Sequence, residues 1–263
     1  MVRLGGVASV SHMEVFQGLE TLFRRQGIDL KWVLYSDYDS MVNAFVSGEI
    51  DLAWNGPLSY VKIKQQAADA CHVIAMRDVD VDFTTHFITG ADSGILTVED
   101  LKDKRFAFGR RSSVQTGLLA YSFLKESGID PRKDLSANSF YDDRNSQTKS
   151  DERDVVERVA SGEFDAGAVS KRTMEVMARE GTLPQDGLRV FWSSPGYSHC
   201  CFTAQTDMDP ALAAEIEIAF LSVDSEDPVG KQVLDGEACD YFVPGQETGW
   251  ELIETAARAE GLI

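Results

Sequence analysis

The chain predicts an α/β protein built as two similar lobes, and three observations carry that prediction. Short apolar strands alternate with amphipathic helices over its first part, the pattern of a parallel sheet with short connections. The joint SGEIDLAW at 47–54 is echoed by SGEFDAGA at 161–168, each time between a helix and a strand. The 263 residues, 43% hydrophobic and 26% charged, suffice for two lobes of roughly 100–150 residues with their own cores. Ligands of open α/β sheets lie at the carboxyl ends of strands, so the expected ligand place is a cleft between the lobes.

Taken in order, Val2 to Ala8 reads as a strand, followed by the turn Ser9-Val10-Ser11-His12. Phe16, Leu19, Leu22 and Phe23 recur at helical spacing until Gly27. Leu30 to Tyr35 is a second strand, and Ser36 to Ser40 opens a helix carrying Met41, Ala44 and Phe45. Ile50 to Trp54 gives a third strand, Asn55-Gly56-Pro57 turns into a third helix, and His72 to Met76 is a fourth strand. Phe83 to Thr89 reads as an extended crossing segment, and Thr97 to Asp100 has capping-box spacing. Arg105 to Gly109 is the second lobe's first strand, leading through RRSSVQTG into a helix.

Leu135 to Tyr141 is a further strand, and Asp142 to Asp154 a polar surface loop running into the helix Val155 to Ala160. A helix covers Lys171 to Arg179, Leu188 to Trp192 is a strand, and Ser198 to Ala204 is the second crossing. The remainder is mainly helical and packs back on the first lobe. The expected division is therefore 1–88 plus 202–263 for lobe 1 and 89–201 for lobe 2.

A net charge of −18 argues against nonspecific binding of nucleic acid or anionic membranes, because the summed field repels polyanions. It also means that an anion site must be made locally, by backbone N–H groups and hydroxyls. No apolar run approaches the ~20 residues needed to span a bilayer, so no membrane insertion is expected. The start MVRLGGVASV reads as a strand rather than a signal peptide, and the adjacent Cys200 and Cys201 favour reduced thiols. The expected location is cytoplasmic as the chain stands, or periplasmic or extracytoplasmic if a leader was trimmed.

Four turns that follow strands and precede helices are candidate anion sites: Ser9 with Ser11, Ser36 with Tyr38, Asn55 with Gly56, and Ser112 to Thr116. Helix starts carry unpaired N–H groups and partial positive charge, although the same residues also serve as plain N-caps. GxxxxGK[ST], GxGxxG and GxSxG are all absent, which leaves nucleotide-binding and hydrolase readings without a motif. The other candidate is His199-Cys200-Cys201 with His86 on the first crossing. On a strand, His199 and Cys201 would share a face, and paired crossings would bring His86 near them. His86, His199 and Cys201 would suit a transition metal, and a cysteine beside a histidine suits a nucleophile. Buried core cysteines are the plainer reading. The paired acids Asp142-Asp143 and Asp151-Glu152 read as solvated surface.

With these segments in hand, the chain resembles the substrate-binding proteins of phosphate/phosphonate ABC transporters, of the type II periplasmic-binding-protein fold. Tyr38 with its helix, IDLAWNGPLSY at 50–60, DSGILTVEDLKDKRFAFG at 92–109, the turn ending Thr116-Gly117, VASGEFDAGAV at 159–169 and the tract Val190 to Pro195 carry the resemblance. It implies two α/β lobes joined by two crossing hinge strands, closure over a small oxyanion, no cofactor, and a transporter permease as partner. It places the family's cleft tyrosine at Tyr38 and its hydroxyl-rich helix start at Val114, Gln115 and Thr116. Where the phosphonate binders have a pocket histidine, this chain has Glu152; where they have an acid for the ligand's amine, it has Cys200. A pocket tyrosine becomes Phe83. A second resemblance, of smaller extent, links HCCF at 199–202 to the CCCFC run of yeast-type thiamine-pyrimidine synthases, although that family's cofactor lysine has no counterpart here.

The sequence thus supports a solute-binding protein that clamps a small anionic or polar ligand. Ser9, Ser11, Tyr38, Asn55, Gly56, Ser112, Ser113, Gln115 and Thr116 would supply donors, and His199 and Cys200 would line the hinge. The alternative is a cytoplasmic metal- or thiol-dependent enzyme or sensor on the same fold, using the His199-Cys200-Cys201 cluster.

Overall fold

The computed structural model describes residues 1–68, 71–184 and 187–263. In chain order the strands and α-helices are β1 Val2–Val7, α1 Val10–Arg25, β2 Leu30–Tyr35, α2 Tyr38–Val46, β3 Leu52–Asn55, α3 Pro57–Gln66 and β4 Cys71–Arg77. Then come β5 Thr85–Gly90, β6 Arg105–Ala107, α4 Leu119–Glu126, β7 Ala137–Ser139, α5 Asp151–Ala160, β8 Ala166–Ser170, α6 Lys171–Arg179 and β9 Leu188–Ser193. The chain ends with β10 Cys201–Gln205, α7 Pro210–Leu221, α8 Pro228–Glu237, β11 Phe242–Pro244 and α9 Glu251–Ala259. These elements form two compact units, one of Met1–Asp82, Tyr197–Glu254 and Gly261–Ile263, the other of Phe83–Gly196 and Thr255–Glu260.

Unit 1 holds the sheet β11-β4-β10-β3-β1-β2. β1 lies parallel to β2 and β3, and β10 runs antiparallel between β3 and β4. The returning chain therefore wedges a strand into the middle of the first sheet. The core beneath it is aromatic: Phe202 stacks on Trp54 at a ring separation of 4.3 Å and meets Phe220 at 4.3 Å. Helix α1 buries Val15, Phe16, Leu19, Leu22 and Phe23, which are spaced for one helical face. Gly6 lets that helix approach β1, because a Cβ there would sit 2.6 Å from the Phe16 ring.

Unit 2 holds the sheet β7-β6-β8-β5-β9, with β6 parallel to β7 and β8 and with β5 antiparallel to β8 and β9. Ile88, Ala107, Val155, Val156, Val159 and Val169 are buried in its core.

The echo seen in the sequence is a structural repeat. Gly48 and Gly162 end their helices at φ +73° and +75°, conformations that glycine adopts without strain. Asp51 then holds Arg3 of β1, and Asp165 holds Arg105 of β6, each through the arginine's backbone N–H (2.7 Å in both) and its guanidinium. Each arginine also donates to the carbonyl of the repeat's glycine, at 2.9 Å to Gly48 and 3.0 Å to Gly162. One device thus ties a helix end to the first parallel strand of each sheet.

Several local expectations are corrected. The expected strand at 135–141 shortens to β7, because Phe140 leaves the sheet to stack on Phe108 at 4.7 Å. At 97–100 only half a capping box forms: Asp100 Oδ2 accepts from Thr97 N, and the helix is one 3₁₀ turn at Glu99–Leu101. The second crossing enters its strand only at Cys201. The first crossing, β5, pairs with β8 and β9 while β10 pairs with β3 and β4, so the pairing that would have brought His86 near His199 and Cys201 is not formed. The expected loop at 142–154 is not solvated throughout, because α5 already begins at Asp151, four residues before the expected helix start at Val155. Asp154 is buried between Arg144 and Arg158, at 2.7 and 2.9 Å, and Glu152 is buried as well.

Candidate functional site

Unit 1 gathers a buried polar cluster where β4 ends and β10 begins. Arg77, the last residue of β4, grips Asp80 with two N–H groups, Nε to Oδ2 at 2.5 Å and Nη2 to Oδ1 at 2.9 Å. Its Nη1 donates to the Glu237 carbonyl at 2.8 Å and lies 3.4 Å from Glu237 Oε2. The guanidinium also rests over the Trp54 ring, 5.1 Å from its centroid. Burial works against charge on Asp80, but Arg77 and His199 outweigh it and hold the carboxyl at about 2. Glu237 goes the other way: burial raises it to about 7, and its Oε1 has no hydrogen-bond partner.

His199 joins this cluster through its backbone N–H, which donates to the Asp80 carbonyl at 2.9 Å, and through Nδ1, 3.0 Å from Asp80 Oδ1. The same Nδ1 lies 3.2 Å from Cys200 Sγ. Burial would lower the imidazole, yet the Cys200 sulfur and the Asp80 carboxylate together raise it to about 9. Because β10 starts at Cys201, the strand alternation expected for 199–201 does not apply: the side chains of His199 and Cys200 meet. Cys201 is fully buried, points to Thr203 Oγ1 at 3.5 Å, and is pushed well up by burial. His86 belongs to unit 2, where its Nδ1 lies 2.8 Å from Ser193 Oγ.

Among the described residues, one group of metal-ligating atoms lies close enough to share an ion: Asp80, His199 and Cys200. A cation there would compete with Arg77 for both Asp80 oxygens and would sit beside a buried guanidinium, so the arrangement is that of an ion-pair network. Nor is it a relay for a nucleophile, which needs the carboxylate and the nucleophile on opposite ring nitrogens. Here both meet Nδ1.

The predicted donors of unit 1 divide into two kinds. Ser9 and Ser11 are exposed, with Ser9 Oγ capping α1 through His12 N at 3.0 Å and lying 3.1 Å from Ser11 Oγ. Tyr38 stands half-exposed at the first turn of α2, with Gly56 beneath it: a Cβ on Gly56 would lie 3.6 Å from the phenol oxygen. Burial raises the Tyr38 phenol to about 12, so it stays a hydrogen-bond donor at neutral pH. Asn55 turns back into the sheet instead, its Nδ2 donating to Thr203 Oγ1 at 2.8 Å and to Ala53 O at 3.2 Å; its Oδ1 is buried without a partner.

Unit 2 builds its polar centre from three helix starts at the carboxyl ends of β6 and β8. After β6, Ser113 caps a π-helical turn, Val114–Leu118, that runs straight into α4; its Oγ accepts from Thr116 N at 3.3 Å and Thr116 Oγ1 at 2.8 Å. Gly109 is required at this turn, since a Cβ would fall 1.9 Å from Thr116 Oγ1 and 2.6 Å from Asp151 Oδ2. Ser150 caps α5 and Ser170 caps α6. Ser112 is exposed, Ser113 and Gln115 are half-buried, and Thr116 is fully buried.

The residue that links these starts is Glu152, which the local pattern reads as solvated surface and only the family resemblance sets at a pocket position. It takes Gln115 Nε2 on Oε1 at 3.0 Å and Ser170 N and Oγ on Oε2 at 2.7 and 2.6 Å. The available signal was its place at the second position of α5, where a carboxylate meets unpaired N–H groups and the positive helix end.

A sequence profile of the periplasmic substrate-binding proteins of phosphonate ABC transporters matches residues 12–250. The chain belongs to that family. It is 26% identical over 247 residues to the probable phosphite-binding protein PhnD1 of Prochlorococcus marinus MIT 9301, covering 90% of this chain and 80% of that one. The solved structure of PhnD1 with methylphosphonate superposes with a TM-score of 0.73 at 23% identity, covering 100% of this chain and 98% of that one. A Xanthomonas citri protein solved with chloride superposes equally well, at 0.73 and 19% identity, covering 100% and 99%. A binding-protein component of a phosphonate ABC transporter from Pseudomonas aeruginosa follows at 0.64 and 16%, covering 99% and 86%. The architecture is that of the two-lobed, two-sheet type II periplasmic binding proteins, with one sheet in each lobe.

Proposed function

We propose that this protein is a solute-binding component of an ABC importer that clamps a small phosphorus oxyanion of the phosphonate or phosphite class. The Tyr38 hydroxyl of unit 1 and the helix starts at Ser112 to Thr116 of unit 2 are the donors proposed for its oxygens. The bound lobes are then what a transporter permease recognises. Family membership over residues 12–250 supports the class. The observation that carries the anionic ligand is the convergence of three helix starts in unit 2, bonded to one another through Gln115, Glu152 and Ser170. Their aligned peptide dipoles favour negative charge at that point.

The test is a thermal-shift screen of methylphosphonate, phosphite, phosphate, sulfate and methanesulfonate. Ligand at 100 times its Kd stabilises the folded state by about 2.7 kcal/mol. A rise in Tm with at least one phosphorus oxyanion supports the reading, and a panel without any shift at millimolar concentration contradicts it.

A further inference from the structure

Helix α7 is apolar on two opposite sides. Ile216, Ala219 and Phe220 face the core, where the Phe220 ring meets Phe202 at 4.3 Å and Phe242 at 5.4 Å. Ala211, Ala214, Ile218 and Leu221, spaced to share the other face, are exposed, Ile218 to 60%. A helix that is hydrophobic all round belongs between two packed layers, and the core of unit 1 supplies only one of them. Beside the outer face, a groove of about 390 Å³ runs between α7 and the first residues of β4, lined by His72, Ile74, Met208, Ala213, Ala214 and Glu217.

Negative charge surrounds this apolar strip. From Thr206 to Glu254 the chain carries 13 aspartates and glutamates against a single lysine, Lys231, and no arginine. Asp227, Asp235, Glu237 and Glu254 are paired, with Arg25, Lys231, Arg77 and Lys64. Among the described residues, the acids at the ends and flanks of α7 form no ion pair: Asp207, Asp209, Glu215, Glu217, Asp224 and Glu226. Helical spacing sets Glu215 on one side of the strip and Glu217 on the other.

An apolar strip rimmed by uncompensated charge of one sign complements a surface of the opposite sign. We propose that the outer face of α7 docks a protein that presents a basic amphipathic segment. Its apolar side chains cover Ile218 and Leu221, and a lysine or arginine lies along the groove to Glu217. Such a side chain has an apolar stem for the groove's walls and a charged head for the carboxylate. A second copy of this chain would set acid against acid, and anionic membranes and nucleic acids are repelled in the same way. The groove lies at the end of β4 that begins with Cys71, whereas Tyr38 and Gly56 follow the carboxyl ends of β2 and β3. Docking there leaves those donors uncovered, so the proposal stands apart from the oxyanion reading.

The experiment is fluorescence anisotropy of a labelled lysine–leucine amphipathic peptide with the purified full chain, a glutamate–leucine peptide serving as the control. The lysine peptide is expected to bind, to lose affinity several-fold as salt rises from low to physiological strength, and to protect α7 from hydrogen exchange. Ile218→Ser combined with Leu221→Ser changes exposed positions, which spares the fold, and is expected to weaken binding at least about tenfold. Glu215→Lys combined with Glu217→Lys is expected to do the same. Asp92→Lys combined with Glu175→Lys makes an equal change of net charge in unit 2 and is expected to leave affinity within about twofold, since salt screens distant charges. An equal loss in that variant, unweakened binding by either α7 variant, binding of the glutamate peptide, or no binding of the lysine peptide overturns the proposal. Self-association that the α7 serines abolish would identify a second copy as the occupant and overturn it as well. Binding of phosphatidylcholine vesicles through the same residues would overturn it in favour of a lipid surface.

Discussion

Replacing Asp80 by asparagine tests the polar cluster of unit 1, and the size of the effect follows from the geometry. The carboxylate is fully buried, accepts two bonds from Arg77, and meets His199 Nδ1. Its folded pKa of about 2 against an ordinary 3.8 corresponds to ~2 kcal/mol of stability from ionisation alone. The sign follows from the depression: this contribution is present above about pH 4 and lost as the pH falls through about 2. The substitution costs more than ionisation does, because it leaves the Arg77 guanidinium buried without its main counter-charge. Removing one partner of a buried pair typically costs about 3–5 kcal/mol. Urea unfolding followed by tryptophan fluorescence reports it, since Trp32, Trp54 and Trp250 lie in unit 1. A midpoint shift that corresponds to ~3 kcal/mol or more is expected. A loss below ~1 kcal/mol would show that water screens the cluster, and the account of it would be wrong.

Two further outcomes follow from the same residues. His199 is raised to about 9 from an ordinary 6.5, so its contribution is complete below about pH 6.5 and is lost as the pH rises through 9. Glu237, raised to about 7, adds a loss between about pH 4.5 and 7. The stability of unit 1 should therefore fall steadily from pH 5 to pH 9, and His199→Gln should flatten the upper half of that profile; an unchanged slope in the variant would contradict the assignment. Cys200 is the half-buried member of a set whose other three thiols, Cys71, Cys201 and Cys239, are buried. One equivalent of a thiol reagent should react fast in the native protein and none in Cys200→Ser, with methylphosphonate slowing the reaction several-fold. Fast labelling of a second cysteine in the native state would count against the fold at β10.

The scaffold was legible in the sequence because its signals are local. The helix-ending glycines, the alternation of strand and helix, and the repeated SGE joint all act within a few residues, and each reappears in the sheet register and in the Arg3–Asp51 and Arg105–Asp165 pairs. The candidate site was legible only as far as the position of its turns. Tyr38, Gly56 and the helix start at Ser113 to Thr116 stand where strand ends meet helices, as the pattern dictates.

What escaped the sequence depends on contacts far along the chain. Asn55 is spent on Thr203, a partner supplied by the returning strand β10, so a residue that reads as a pocket donor serves the sheet. The local pattern reads Glu152 as surface beside Asp151, the resemblance alone sets it at a pocket position, and the arrival of Gln115 and Ser170 makes it a buried acceptor. Arg77, Asp80 and Glu237 carried no sequence signal at all, since three ordinary charged residues become one network only when β4 meets the end of α8.

Direct calorimetric titration of the wild-type protein with methylphosphonate near neutral pH tests the central claim most closely. The account predicts saturable one-to-one binding, weakened at least about tenfold by Tyr38→Phe, since a lost hydrogen bond to a charged group costs about 1.5–3 kcal/mol. A flat titration with methylphosphonate, phosphite and phosphate alike would contradict it.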